Sequence, residues 1–129
     1  MIHWLSVTAV RSIHFEVVRE HGGNPGLRDE YLLLSAVGRP KNLAVYSHAD
    51  IFRLAAAYAY GICGNHPFID GNKRTSLMTA YVFLRMNGYK LVASEEEAAA
   101  TFLDLAAGTL SEARLANWLR RNAKAAREI

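Results

Sequence analysis

The sequence predicts an all-α domain of about six helices with room for a small β flap. Three observations point there. Caps and glycines cut the chain into helix-length pieces, two of those pieces are apolar nearly all round, and no run of alternating residues exceeds a few positions. Two wholly apolar helices need neighbours on every side, which makes a bundle with a central pair the natural architecture.

The first piece, "SVTAVRSIHFEVVRE" over residues 6 to 20, sets Val7, Val10, Ile13, His14, Val17 and Val18 near one face and stops at Gly22 and Gly23. A second, short helix is expected over "RDEYLLLSAV", closed by Gly38 and Pro40. The segment "KNLAVY" that follows has extended character through Val45 and Tyr46, so residues 40–47 are either a flap or an ordinary loop. Ser47 with Asp50 matches a capping box and opens the first central helix, "IFRLAAAYAYGIC", to about Gly61 or Gly64. The second central helix contains "LMTAYVFLRM". Gly88 to Val92 is a short extended connector, Ser94 with Glu97 makes another capping box, and Ser111 opens a last helix with Leu115, Trp118 and Leu119 on one side.

At 129 residues the chain suits one domain over 1–129, burying roughly two-thirds of its extended-chain surface. The longest apolar run, Leu54 to Cys63, is about half the roughly twenty residues that a membrane helix needs. The first twenty residues, with His3, Arg11, His14, Glu16 and Arg19, lack the apolar core of a signal peptide, so a cytoplasmic protein without membrane contact is expected. One cysteine, Cys63, fits a reducing compartment and a core position. The net charge of +3 is mild, and part of it lies in "RRNAKAAR", Arg120 to Arg127, read as a solvated helix end. No basic stripe with stacking aromatics is present, and Tyr58, Tyr60 and Tyr81 read as core, so nucleic acid is not an expected partner.

Between the central helices lies "GNHPFIDGNKRTS", residues 64 to 76, which puts a histidine, an aspartate, an asparagine and two cations into one connection. Phe68 and Ile69 can anchor it inward, and Pro67 restrains His66 to extended geometry. If the second central helix starts near Gly71, its first amides have no intrahelical acceptor and face outward at the positive end of the dipole. Lys73 and Arg74 in that first turn oppose the dipole by a few tenths of a kcal/mol or more, which an oligophosphate facing amides and cations together would offset. Asp70 suits Mg²⁺, which holds triphosphates through one or two carboxylates. His66 is of the type that serves as a general base near neutral pH. Taken singly, Asp70 or Asn72 is more often an N-cap, His66 a structural residue, and Lys73 and Arg74 solvated charges; their co-occurrence within nine residues is what points to a site. The spacing fits neither a P-loop nor a histidine-pair zinc site.

"HPFIDGNKR" resembles the H-P-F-x-[DE]-G-N-[GK]-R motif of Fic/Doc proteins, and Lys73 in place of glycine, with Leu77 in place of a second arginine, resembles the Doc branch, the death-on-curing toxins. "GLRDEYLLLSAVGRP", Gly26 to Pro40, resembles that branch as well. The resemblance implies a compact Fic-like bundle and a toxin kinase that passes the terminal phosphate of ATP to a threonine of elongation factor Tu. It implies catalytic work for His66, Asp70, Lys73 and Arg74, nucleotide contacts for Phe68, Gly71, Asn72, Lys73 and Arg74, and Mg²⁺ on Asp70. A Phd-like antitoxin is the implied partner, and residues 43 to 46 the implied flap for an extended target strand. The inhibitory [ST]-x-x-x-E-[GN] segment of many Fic proteins has its nearest match in Ser12 to Glu16, followed by Val17, so no built-in brake is expected. A Fic-type AMP transferase and a catalytically silent antitoxin-binding module are the alternatives.

Overall fold

The computed structural model describes residues 1–126 and shows, over those residues, six α-helices and two short strands. In chain order these are α1 (Val7–His21), α2 (Glu30–Tyr46), α3 (Ile51–Asn65), α4 (Asn72–Met86), β1 (Tyr89–Leu91), α5 (Glu95–Ala106), α6 (Glu112–Arg121) and β2 (Ala123–Ala125). The all-α class with a small β element is as expected.

α3 is the axis. Leu54 to Ala59 and Ile62 expose no surface, because α2, α4 and α6 close around them. The alanines let those neighbours approach, while Leu54, Tyr58, Ile62, Phe83, Leu84, Leu115 and Leu119 fill the space between. Burying each of the large side chains contributes about 1.5–3 kcal/mol. Tyr58 does more than fill space, since its hydroxyl accepts from Leu5 N at 3.0 Å and donates to Leu5 O at 3.2 Å, tying the chain's first residues to the core.

Five helices begin on a side-chain cap. Ser6, Asp29, Asp50, Ser94 and Ser111 each accept an amide from the first turn of α1, α2, α3, α5 and α6, and Ser94 with Glu97 forms the full reciprocal box. Ser47 is not the start of α3 as the sequence suggested. It is the C-cap of α2, its hydroxyl donating to Leu43 O at 2.9 Å, and Asp50 alone caps α3.

α2 corrects a larger expectation. Gly38 and Pro40 do not end it, and residues 41–46, expected as an extended flap or loop, are helical. The reason is tertiary: Leu33, Ala36, Val37 and Pro40 repeat at helical spacing and are buried, and Leu43 and Ala44 continue the stripe. Packing along that stripe offsets the roughly 3 kcal/mol that an interior proline costs.

The two-stranded sheet lies elsewhere. β1 pairs antiparallel with β2 in the register Tyr89↔Ala125, Lys90↔Lys124 and Leu91↔Ala123, flanked by bonds from Val92 N to Asn122 O and from Ala126 N to Gly88 O. Arg120 and Arg121 close α6 as the expected basic helix end, whereas Ala123–Ala125, with Lys124, is a strand, and Arg127 falls outside the described residues. No helix among those described is long and apolar enough to cross a membrane.

Candidate active site

α3 ends at His66, whose backbone turns into the left-handed region at φ 50°, ψ 55° while its N–H still bonds Ile62 O. Among the described residues it is the only non-glycine with positive φ. The extended geometry expected before Pro67 is not adopted, because the chain must reverse here to lead into α4. Such a conformation costs about 1–3 kcal/mol. Arg28 partly offsets it, donating from Nε to His66 O at 2.6 Å and from Nη2 to Asn65 O at 2.9 Å, a cation placed on the carbonyl end of α3.

The rest of the loop is laid onto the segment between α1 and α2. Pro67 O accepts from Arg28 N and Asp29 N, Ile69 N donates to Gly26 O, and Leu27 and Phe68 form an antiparallel bridge. Asp70 Oδ2 accepts Asn24 N at 2.7 Å. A side chain on Gly23, itself at φ 116°, would start 3.0 Å from Asp70 Cβ, so only glycine lets the two segments sit this close.

From the other side, α1 supplies His14, whose Nε2 donates to Asp70 O at 2.8 Å and whose ring stacks on Phe68 with centroids 3.7 Å apart. His14 is 2% exposed, and burial, joined by the nearby Arg11 charge, pulls its pKa below the ordinary 6.5 against the smaller opposing effect of Asp70.

Two expected ligand contacts turn inward instead. Phe68 is buried against His14, and the Asn72 carboxamide bonds both Phe68 N and Phe68 O, so both side chains brace the loop from within. Ile69, expected to anchor inward, is exposed.

α4 then begins on Gly71, at φ 82°, with no side-chain cap, unlike its five neighbours. A Cβ there would lie 3.3 Å from Val18 Cγ2 and 3.6 Å from His14 Cδ2, so the residue must be small as well as left-handed. The first turn carries no acid, and Lys73 and Arg74 are both exposed on it. A helix start with free amides and two cations attracts an anion.

A cavity of about 600 Å³ opens beside His66, walled by Tyr60, Cys63, Gly64, Leu110 and Arg114. His66 is the one predicted site residue that lines it. Tyr60, expected in the core, is half exposed here under the Arg39 guanidinium, whereas Tyr58 is in the core as expected. Cys63 is buried, which pushes its thiol pKa up.

Sequence reasoning missed His14, Asn24 and Arg28. His14 left a signal, an imidazole on the buried face between Val10 and Val17 that had to find a partner. Arg28 and the Asn24 amide left none, since their contacts cross 37 to 46 residues of chain.

The whole arrangement joins an imidazole at one helix end to a bare, cationic helix start through a carboxylate-bearing turn. The description "Fic/DOC family" matches residues 4–84, a span that includes this entire loop, and the chain belongs to that family. Within it the chain falls in the Doc branch. It is similar to the protein kinase doc of Escherichia phage P1, with 34% identity over 111 residues, 85% of this chain and 87% of the relative. It is also similar to the toxin Doc of Mycolicibacterium smegmatis, with 39% identity over 74 residues, 56% of this chain and 57% of that one.

Proposed function

We propose that this protein is a Doc-type toxin kinase, a single domain over 1–129, that transfers the terminal phosphoryl group of ATP to a threonine of elongation factor Tu in the cytoplasm and so arrests translation. The observation that carries the reading is the junction itself: His66 closes α3 where α4 opens uncapped, with Lys73 and Arg74 in the first turn. The names of the two relatives, one a protein kinase and one a toxin, support it.

In this reading the target hydroxyl gives its proton to the unprotonated ring nitrogen of His66 as its oxygen bonds the terminal phosphorus, and the bond from that phosphorus to the bridging oxygen breaks to leave ADP. The α4 amides, Lys73 and Arg74 neutralise the phosphate oxygens, and the cavity beside Tyr60 and Gly64 has the volume to take the remainder of a nucleotide. Asp70 is the residue that would hold Mg²⁺. It is exposed, and no group of three His, Cys, Asp or Glu converges among the described residues. That suits a cation bound mainly through phosphates and water, which would supply charge neutralisation at the phosphates. A Phd-like antitoxin restrains the toxin by folding a disordered tail onto it.

The test is ATP-dependent labelling of elongation factor Tu, with mass spectrometry, by wild type and His66→Ala. One phosphoryl group gained with wild type, and a rate about 10²–10⁴-fold lower with the variant, is the expected result. A gain of AMP instead makes the protein a nucleotidyltransferase. No transfer at all makes it a silent binding module.

A further inference from the structure

His14 is a buried ionisable side chain to which the proposed chemistry gives no task. It stands on the inner face of α1 among Val10, Val17 and Val18, where any apolar residue of its size would satisfy burial. It meets the loop at three points: the ring lies parallel to Phe68, 7° from coplanar, Nε2 bonds Asp70 O, and Cδ2 abuts the position of Gly71. Since a carbonyl only accepts, Nε2 carries the proton. An apolar ring would keep the stack and leave the Asp70 carbonyl without this donor; a flexible amide would keep the bond and lose the stack.

The Asp70 carbonyl belongs to the peptide that joins Asp70 to Gly71, the cap of α4. Whatever holds that peptide helps to place both the carboxylate of Asp70, which Asn24 N also holds, and the first α4 amides. We propose that His14 is a positioning residue, outside the ligand site, that fixes the Asp70–Gly71 peptide so that the carboxylate and the α4 amides meet Mg²⁺ and phosphate together. This rests on the nucleotide reading above.

The experiment compares wild type with His14→Phe, which keeps the stack, and His14→Gln, which keeps a donor. Two quantities are read: hydrogen exchange of the ligand-free Phe68 and Ile69 amides, and Mg²⁺–ATP affinity by calorimetry. In His14→Phe both amides should exchange about fivefold faster, with α3 and α6 unchanged, and affinity should fall by a similar factor, as expected for one lost hydrogen bond. His14→Gln should bind more tightly than His14→Phe. Exchange and affinity both at wild-type levels in His14→Phe would overturn the proposal, as would faster exchange throughout α3 and α6, which would make His14 a general core residue. If wild type itself binds no Mg²⁺–ATP, the nucleotide reading and the ligand half of this proposal fall, and exchange still judges the hold on the loop.

Discussion

Asn72 grips the peptide backbone of Phe68 at both ends, Oδ1 accepting Phe68 N–H at 3.0 Å and Nδ2 donating to Phe68 O at 2.8 Å. The two bonds settle which way the carboxamide faces, because Phe68 N–H can meet only an oxygen. Its nitrogen is thereby left 3.3 Å from His66 Nδ1. A donor at that place favours the tautomer with the proton on Nε2, and the contact is long enough to yield when a substrate arrives.

Asn72→Ala should therefore cost more than a surface change. It strands the buried Phe68 N–H and C=O, and the expected loss is about 2–4 kcal/mol, read as a lower urea midpoint at unchanged slope. A midpoint equal to wild type would mean that water replaces the amide at both groups.

His66→Gly should separate stability from activity. Glycine adopts the left-handed C-cap without strain, so the variant should unfold about 1 kcal/mol later than wild type while losing the imidazole. A less stable variant would show that contacts of the ring outweigh the strain at φ 50°.

Lys73→Gly removes one of the two first-turn cations. Phosphoryl transfer should fall roughly 10–100-fold, as for loss of one charge-stabilising group, with the fold intact by circular dichroism. An unaltered rate would take Lys73 out of the mechanism.

Acid should weaken the fold through His14. Its pKa is lowered by burial and by the Arg11 charge, against opposing effects of the Asp70 carbonyl and carboxylate, so folding favours the neutral ring. Between the folded value and the ordinary 6.5, the unfolded chain takes up a proton that the folded chain refuses. The stabilisation is complete above 6.5 and is lost as pH falls through that window. Urea midpoints at about pH 7.5 and about pH 5.5 should differ less in His14→Gln than in wild type. Equal differences would place the acid sensitivity on another group.

Much of the fold was legible because it follows from caps and periodicity. Ser6, Ser94 with Glu97, and Ser111 mark true helix starts, and the all-apolar segments are the central pair. Local signals failed where packing overruled them, as at Pro40, which stays helical because its face continues the buried stripe of Leu33, Ala36 and Val37. The strand at Ala123–Ala125 was hidden because its partner lies more than thirty residues away and three residues carry too little pattern. At the loop, the helix start at Gly71 was readable, with Lys73 and Arg74 exposed in its first turn. The inward roles of Phe68 and Asn72 were not, since they depend on His14 and on backbone groups that a one-dimensional reading does not bring together.

The loop between α3 and α4 leans on groups that lie 37 to 56 residues nearer the start of the chain. During synthesis those braces leave the ribosome first and wait for what they will hold. A polypeptide cut short before Arg74 therefore has the braces without the first turn of α4 that they orient, and the junction between the third and fourth helices cannot form until both have emerged.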